Sequence, residues 1–227
     1  MHDFVHEATH EFLHLDGKIL QTVKLLVLRP GALTREFLTG RRARYISPVR
    51  VYLTFSLIFF TLAAILPSTG AIKVSRTGLQ GDSDFERRLG TGLSKAEQDS
   101  ELLGQAVMRN LPKVMFVLMP LFGLLTWAFY RRQERFYIPH LYFAVHFHAF
   151  LFLIMAVYLL IQRIGVPKPV AAVLILTSVP YHYIALRRVF GGSRIMTFAK
   201  GTAIGMLYWL IAAATVAAVA FWVLLHL

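Results

Sequence analysis

A chain of 227 residues that is 56% hydrophobic and 16% charged falls short of the roughly one-quarter charged residues of a soluble domain, and its apolar residues gather in runs long enough to commit most of it to a bilayer. It contains no cysteine, which excludes disulfides, thiolate zinc sites, iron–sulfur ligation and cysteine nucleophiles. A net charge of +12 would suggest nucleic acid in a soluble protein; in a multi-span membrane protein it marks basic flanks that meet anionic lipid head groups, and no nucleic-acid partner is expected.

The N-terminus, MHDFVHEATHEF, has no basic stretch leading into an apolar one, so no cleavable signal peptide is predicted. It carries two overlapping H-E-x-x-H patterns, His6-Glu7-Ala8-Thr9-His10 and His10-Glu11-Phe12-Leu13-His14. In such a pattern two histidines one helical turn apart bind zinc and the glutamate acts as general base, so His6, His10 and His14 are the metal candidates. The context argues for a plain amphipathic helix instead. Phe4, Ala8, Phe12 and Leu15 make an apolar face, and too few polar residues follow to build a cleft around the pattern. No catalytic residue and no cofactor is predicted, zinc being the metal the pattern would suit.

Residues 1–47 read as a basic helical region in the plane of the membrane interface. Leu20, Val23, Leu26 and Val27 form an apolar stripe beside Lys18, Lys24 and Arg29. Arg29-Pro30-Gly31 breaks that helix, and Leu33, Phe37 and Leu38 resume it. Residues 48–227 then form an all-α membrane domain. Its spans are expected at about 49–66, 114–130, 139–161, 169–186 and 202–225, each near the roughly 17–25 apolar residues a bilayer requires. Ser47-Pro48 opens the first span as cap and first helical residue. Pro120 and Gly123 interrupt the second, and Pro180 lies inside the fourth. Between the first and second spans, residues 67–113 begin with turn formers. They continue with Phe85, Leu89, Leu93, Ala96, Leu103 and Val107 at helical spacing, which predicts an amphipathic helix on the outer membrane surface.

Lysine and arginine concentrate before Arg50, in 131–139 and in 187–200, which places the N-terminus in the cytoplasm and the C-terminus outside. Three separated stretches, LDGKILQTVKLLVLRPGALTREFLTGRRARYISPVRVYLTFSLIFF (15–60), RFYIPHLYFAVHFHAFLFL (135–153) and ALRRVFGGSRIMTFAKG (185–201), together resemble a bacterial polytopic membrane family known as a domain of unknown function. The resemblance implies about five spans in a bacterial inner membrane and brings no activity with it. Many members of that family carry an N-terminal cysteine zinc ribbon. Without cysteine this chain has none, so the ribbon is either lost from this branch or encoded upstream of Met1.

Two constellations inside the membrane domain are candidates for binding. His140, His146 and His148 lie on the third span and Pro180-Tyr181-His182-Tyr183 on the fourth. By helical rise His146 and His148 fall roughly 9–12 Å deeper than His140, so antiparallel packing would gather all of them in the cytoplasmic half. Ionisable residues at such depth usually face the bundle interior or a wet cavity; the alternative is that these imidazoles hydrogen-bond neighbouring helices as glue. Arg41, Arg42, Arg44 and Tyr45, beside Arg35 and Arg50, form the second group. Guanidinium forks suit phosphate, whereas the alternative is simple positive-inside anchoring. Arg131, Arg132, Arg187 and Arg188 would join them at the same face. Gly201 and Gly205 form a G-x-x-x-G pattern that allows close packing within the bundle or between two copies of the chain.

The sequence therefore predicts binding, or movement across the bilayer, of an anionic or polar-headed small molecule or lipid. The alternatives are a membrane scaffold that recruits partners and, third, a metal-dependent intramembrane enzyme.

Overall fold

The computed structural model describes residues 17–66 and 100–226. Every regular element among them is helical. Helix α1 covers 17–28, α2 Ala32–Leu38, and a 3-10 turn Arg42–Arg44 leads into α3, Pro48–Ile65. There follow α4 (Ser100–Tyr130), α5 (Tyr137–Arg163), α6 (Lys168–Leu176), α7 (Ser178–Phe190) and α8 (Arg194–Leu224). Among the described residues, five segments are long and apolar enough to cross a membrane: Arg42–Ile65, Ala106–Tyr130, Tyr137–Arg163, Lys168–Phe190 and Arg194–Leu224. The protein is an all-α, multi-pass membrane protein.

Helix ends depart from the apolar windows for a physical reason. Hydropathy marks the part of a helix that suits lipid, whereas backbone hydrogen bonding continues through polar residues. Thus α4 starts at Ser100 and carries Arg109, Asn110 and Lys113 before its apolar stretch, and α8 starts at Arg194 rather than near Thr202. Of the amphipathic helix expected within 67–113, Phe85, Leu89, Leu93 and Ala96 lie outside the described residues.

Pro120 and Pro180, each in the interior of a span, act differently. Helix α4 runs unbroken through Pro120 and Gly123. The hydroxyl of Tyr137 donates to the Pro120 carbonyl at 2.8 Å, and Gly123 lets α5 approach, since a Cβ there would lie 3.2 Å from that hydroxyl and 3.4 Å from the Leu141 Cα. Pro180, by contrast, has no N–H for the carbonyl of Leu176, and regular helical bonding is interrupted at Thr177, between α6 and α7, although Thr177 keeps right-handed helical backbone at φ −62° and ψ −20°.

The chain forms two compact units, Met1–Phe59 with Met119–Ile204, and Phe60–Leu118 with Gly205–Leu227. In the smaller one Val107 and Val223 are buried against Ala106, Leu111, Val216, Val219, Ala220 and Leu224. The larger unit is organised around α5, whose Phe143, Ala144, Phe147, Ala149, Phe150 and Phe152 are buried. More than half (56%) of the central window of α5 is covered by protein, against 6% for α8. Helix α5 is thus the core of the unit, whereas α8 is little buried by the described residues. Tyr52 and Phe59 of α3 pack their rings on Phe152 at 5.6 Å. Phe122 of α4 stacks on Phe147 at 5.3 Å, and Tyr181 of α7 stacks on Phe150 at 3.5 Å.

Candidate functional site

The segment before α3 docks on α5 and α7 through its turn. Pro30 ends α1 and leaves the Leu26 carbonyl without its usual partner four residues on. The Tyr181 hydroxyl donates to that carbonyl at 2.6 Å. One turn further along α7, a Cβ on Gly31 would come within 2.7 Å of the Ala185 carbonyl oxygen and 2.9 Å of its Cα, and the φ of Gly31 is +74°. Only glycine meets both demands. Arg188, at the end of the same stripe, donates from Nη1 to the Pro30 carbonyl at 2.6 Å. Tyr181, Ala185 and Arg188 recur at helical spacing, so one face of α7 reads the backbone of Leu26, Pro30 and Gly31. Helix α2 completes the dock. Thr34 Oγ1 shares a hydrogen bond with His146 Nδ1 at 3.0 Å, and the Phe37 ring lies 5.3 Å from the His146 ring.

The histidines lie in one unit but in separate environments. His140 is fully buried; it donates from Nε2 to the Glu134 carbonyl at 3.1 Å and stacks on Phe190 at 4.5 Å. His148 donates from Nδ1 to the Ala144 carbonyl at 2.8 Å, and its ring meets Phe122 edge-on at 5.3 Å. His182 packs between Phe122 (5.7 Å) and Phe147 (4.9 Å), close enough to His148 to interact electrostatically. Nε2 of His146 is enclosed without a hydrogen-bond partner, whereas the enclosed His182 ring lies against the backbone of Gly201. Leu26, Gly31, Thr34, His146, Tyr181 and Ala185 help line a cavity of about 10 Å³ beneath the turn. That is the lower limit for one water, and far below the roughly 300–1,000 Å³ of a small-molecule pocket. Among the described residues no group of three or more His, Cys, Asp or Glu is placed to hold a metal ion. His6, His10 and His14 lie outside the described residues.

The arginines divide by what they touch. Arg41 forms a forked pair with Glu36, Nε to Oε2 at 2.9 Å and Nη2 to Oε1 at 3.0 Å. Arg188 is spent on Pro30. Arg42 and Arg44, on the 3-10 turn, and Arg50, in the first turn of α3, are exposed. They have no carboxylate partner among the described residues. Tyr45 packs its ring 6.4 Å from Phe37, which anchors the turn to α2. Arg131, Arg132 and Arg187 are exposed as well.

Of the glycine pair, Gly201 packs inside the bundle, where a Cβ would be 3.1 Å from the Leu186 Cδ1 and 3.8 Å from the His182 Cδ2; Gly205 has open space beside it. Neither Thr34 as the partner of His146 nor Ala185 as the neighbour of Gly31 is signalled in the sequence. What the sequence does carry is the stripe Tyr181, Ala185, Arg188 opposite Arg29-Pro30-Gly31, but a stripe names a face and not what it faces.

The model of a family described as a protein of unknown function, DUF3667, matches residues 16–60. The match spans α1, the turn, α2, the 3-10 turn and most of α3, so it covers the docked hairpin with the start of the membrane domain. No curated protein and no solved structure matches the chain.

Proposed function

We propose that this membrane protein binds the phosphate-bearing head group of an anionic lipid on Arg42, Arg44 and Arg50, at the cytoplasmic surface of a bacterial inner membrane. The observation that carries the reading is the division among the arginines. Arg41 is neutralised by Glu36, whereas Arg42 and Arg44 project from a short turn shortly before Pro48, the first residue of α3. That turn lies where a polar head group meets the hydrocarbon, and guanidinium forks match phosphate oxygens. His140, His148 and His182 have a packing role in this reading. His140 and His148 donate to backbone carbonyls, and the cavity beside His146 is too small for a head group. Binding rather than passage across the bilayer is therefore the activity proposed.

The test is lipid retention by the purified full chain in nanodiscs that mix phosphatidylglycerol and phosphatidylcholine. At about 1 kcal/mol for each basic residue near the surface, replacing Arg42, Arg44 and Arg50 by alanine should lower the enrichment of phosphatidylglycerol by roughly a hundredfold at low salt. Unchanged enrichment overturns the reading.

A scaffold role is favoured by one observation of its own. Helix α8 presents Trp209, Leu210 and Trp222 outward while only 6% of its central window is covered, a surface a partner span could use. Co-purification of a stoichiometric membrane partner that is lost with Trp209→Ala would support it.

A further inference from the structure

We propose that the α1–α2 hairpin is a reversible latch over a cryptic head-group site whose donors are Arg188, Tyr181 and His146. This rests on the head-group reading above and extends it from the exposed arginines to the groove beneath the hairpin.

The first ground is the nature of the dock. In water, burial of Leu26, Leu33 and Phe37 would hold the hairpin down. In a bilayer that driving force is absent, because acyl chains receive these side chains as well as the groove does. What remains is packing and the directed bonds from Tyr181 to Leu26, from Arg188 to Pro30, and between Thr34 and His146. Each neutral bond among these shifts an equilibrium only about two- to tenfold, and the charge-assisted one from Arg188 roughly ten- to a hundredfold.

The second ground is that the hairpin carries its own internal tie. The Thr22 hydroxyl donates to the Lys18 carbonyl and accepts from the backbone N–H of Ile46 at 3.1 Å. Residues 17–46 can therefore leave α5 and α7 as one body, turning at Ser47-Pro48, without unfolding.

The third ground is what lies beneath. His146 is fully enclosed, yet its Nε2 has no partner in the docked state, a costly arrangement that a second state relieves. Release of the hairpin frees the Arg188 guanidinium and the Tyr181 hydroxyl from backbone carbonyls and uncovers the His146 imidazole. One guanidinium, one phenol and one imidazole on the facing sides of α5 and α7 make a donor set for phosphate oxygens. Anionic lipid gathered by Arg42 and Arg44 reaches these donors only in the released state, and by that differential binding favours release.

Hydrogen exchange of the full chain in nanodiscs tests this. In phosphatidylcholine, Tyr181→Phe combined with Arg188→Gln should speed exchange across 17–38 at least twentyfold while 137–163 stays protected, which shows that the fold is intact. In phosphatidylglycerol, the wild-type chain should show faster exchange across 17–38, and this increase should disappear when Arg42 and Arg44 are replaced by alanine. An unchanged hairpin in the double variant, loss of protection spreading to 137–163, or equal exchange in the two lipids each overturns the proposal. Failure of the surface reading is seen separately, as unchanged phosphatidylglycerol enrichment in the Arg42, Arg44 and Arg50 variant.

Discussion

The hydroxyl of Tyr181 donates to the carbonyl of Leu26 across 155 positions of sequence, and it does so because Pro30 has removed the donor that carbonyl would otherwise have. A buried carbonyl deprived of its donor costs about 1–3 kcal/mol. Tyr181→Phe keeps the ring stacked on Phe150 and removes only the hydroxyl. It should therefore lower the thermal stability of the detergent-solubilised protein by about that amount, read as a shift in midpoint. A midpoint equal to wild type would mean that the Leu26 carbonyl finds water or another donor.

The glycines should rank by what their missing Cβ would strike. Gly31→Ala meets backbone atoms of Ala185 at 2.7 and 2.9 Å and must also hold φ at +74°, so neither side can yield cheaply. Gly201→Ala meets the Cδ1 of Leu186 at 3.1 Å, the far end of a flexible side chain, and Gly205→Ala meets nothing. Yields of folded protein by fluorescence-detected gel filtration should fall sharply for Gly31→Ala and mildly for Gly201→Ala. For Gly205→Ala they should hold or rise, since alanine is the better helix former by about 1 kcal/mol. A loss for Gly205→Ala with an altered elution volume would point instead to packing between copies of the chain.

Thr34 and His146 should behave as one unit. Thr34→Val leaves Nδ1 of a fully buried imidazole without a partner, and His146→Leu leaves the Thr34 hydroxyl alone in an apolar groove. Each change should destabilise by about 1–3 kcal/mol, whereas the pair together should cost less than the sum, because no polar group is then stranded. Thermal or chemical unfolding of the two single variants and the double variant gives the coupling. Strict additivity would show that the bond carries no net weight.

How far the fold could be read in advance differed by element. The apolar runs are legible because a bilayer demands length and composition together, and the interrupted bonding ahead of Pro180 follows from a missing N–H. The polar relationships are not. Tyr181 and Arg188 looked like ligand-binding groups because an intramembrane phenol and a terminal guanidinium invite that reading. Their observed partners are backbone carbonyls of Leu26 and Pro30, and a backbone carbonyl leaves no signature in a sequence. The histidines were expected to gather, and they do share one unit. Their separation into a Phe190 stack, a Thr34 bond and a Phe122–Phe147 wall depends on rotations about α5 and α7 that spacing alone does not resolve. Arg41 shows the same limit in reverse, because Glu36 was in plain view five residues away while the Gly40 bend that folds the pair together was not.

Metal should matter little to the membrane domain. His140 and His148 each commit one ring nitrogen to a backbone carbonyl. His146 commits one to Thr34, and no third ligand joins any pair among the described residues. A two-histidine site with no carboxylate or thiolate leaves a divalent ion short of the four ligands zinc takes. Exhaustive chelation should therefore leave the unfolding midpoint of the purified chain unchanged. The overlapping patterns at His6, His10 and His14 can still bind zinc by their i, i+4 spacing. If titration finds zinc on the full chain, replacing those three histidines with alanine should abolish it and His182→Ala should leave it in place. Zinc retained by the first variant and lost from the second would place a metal between α5 and α7 and overturn the packing role assigned to His148 and His182.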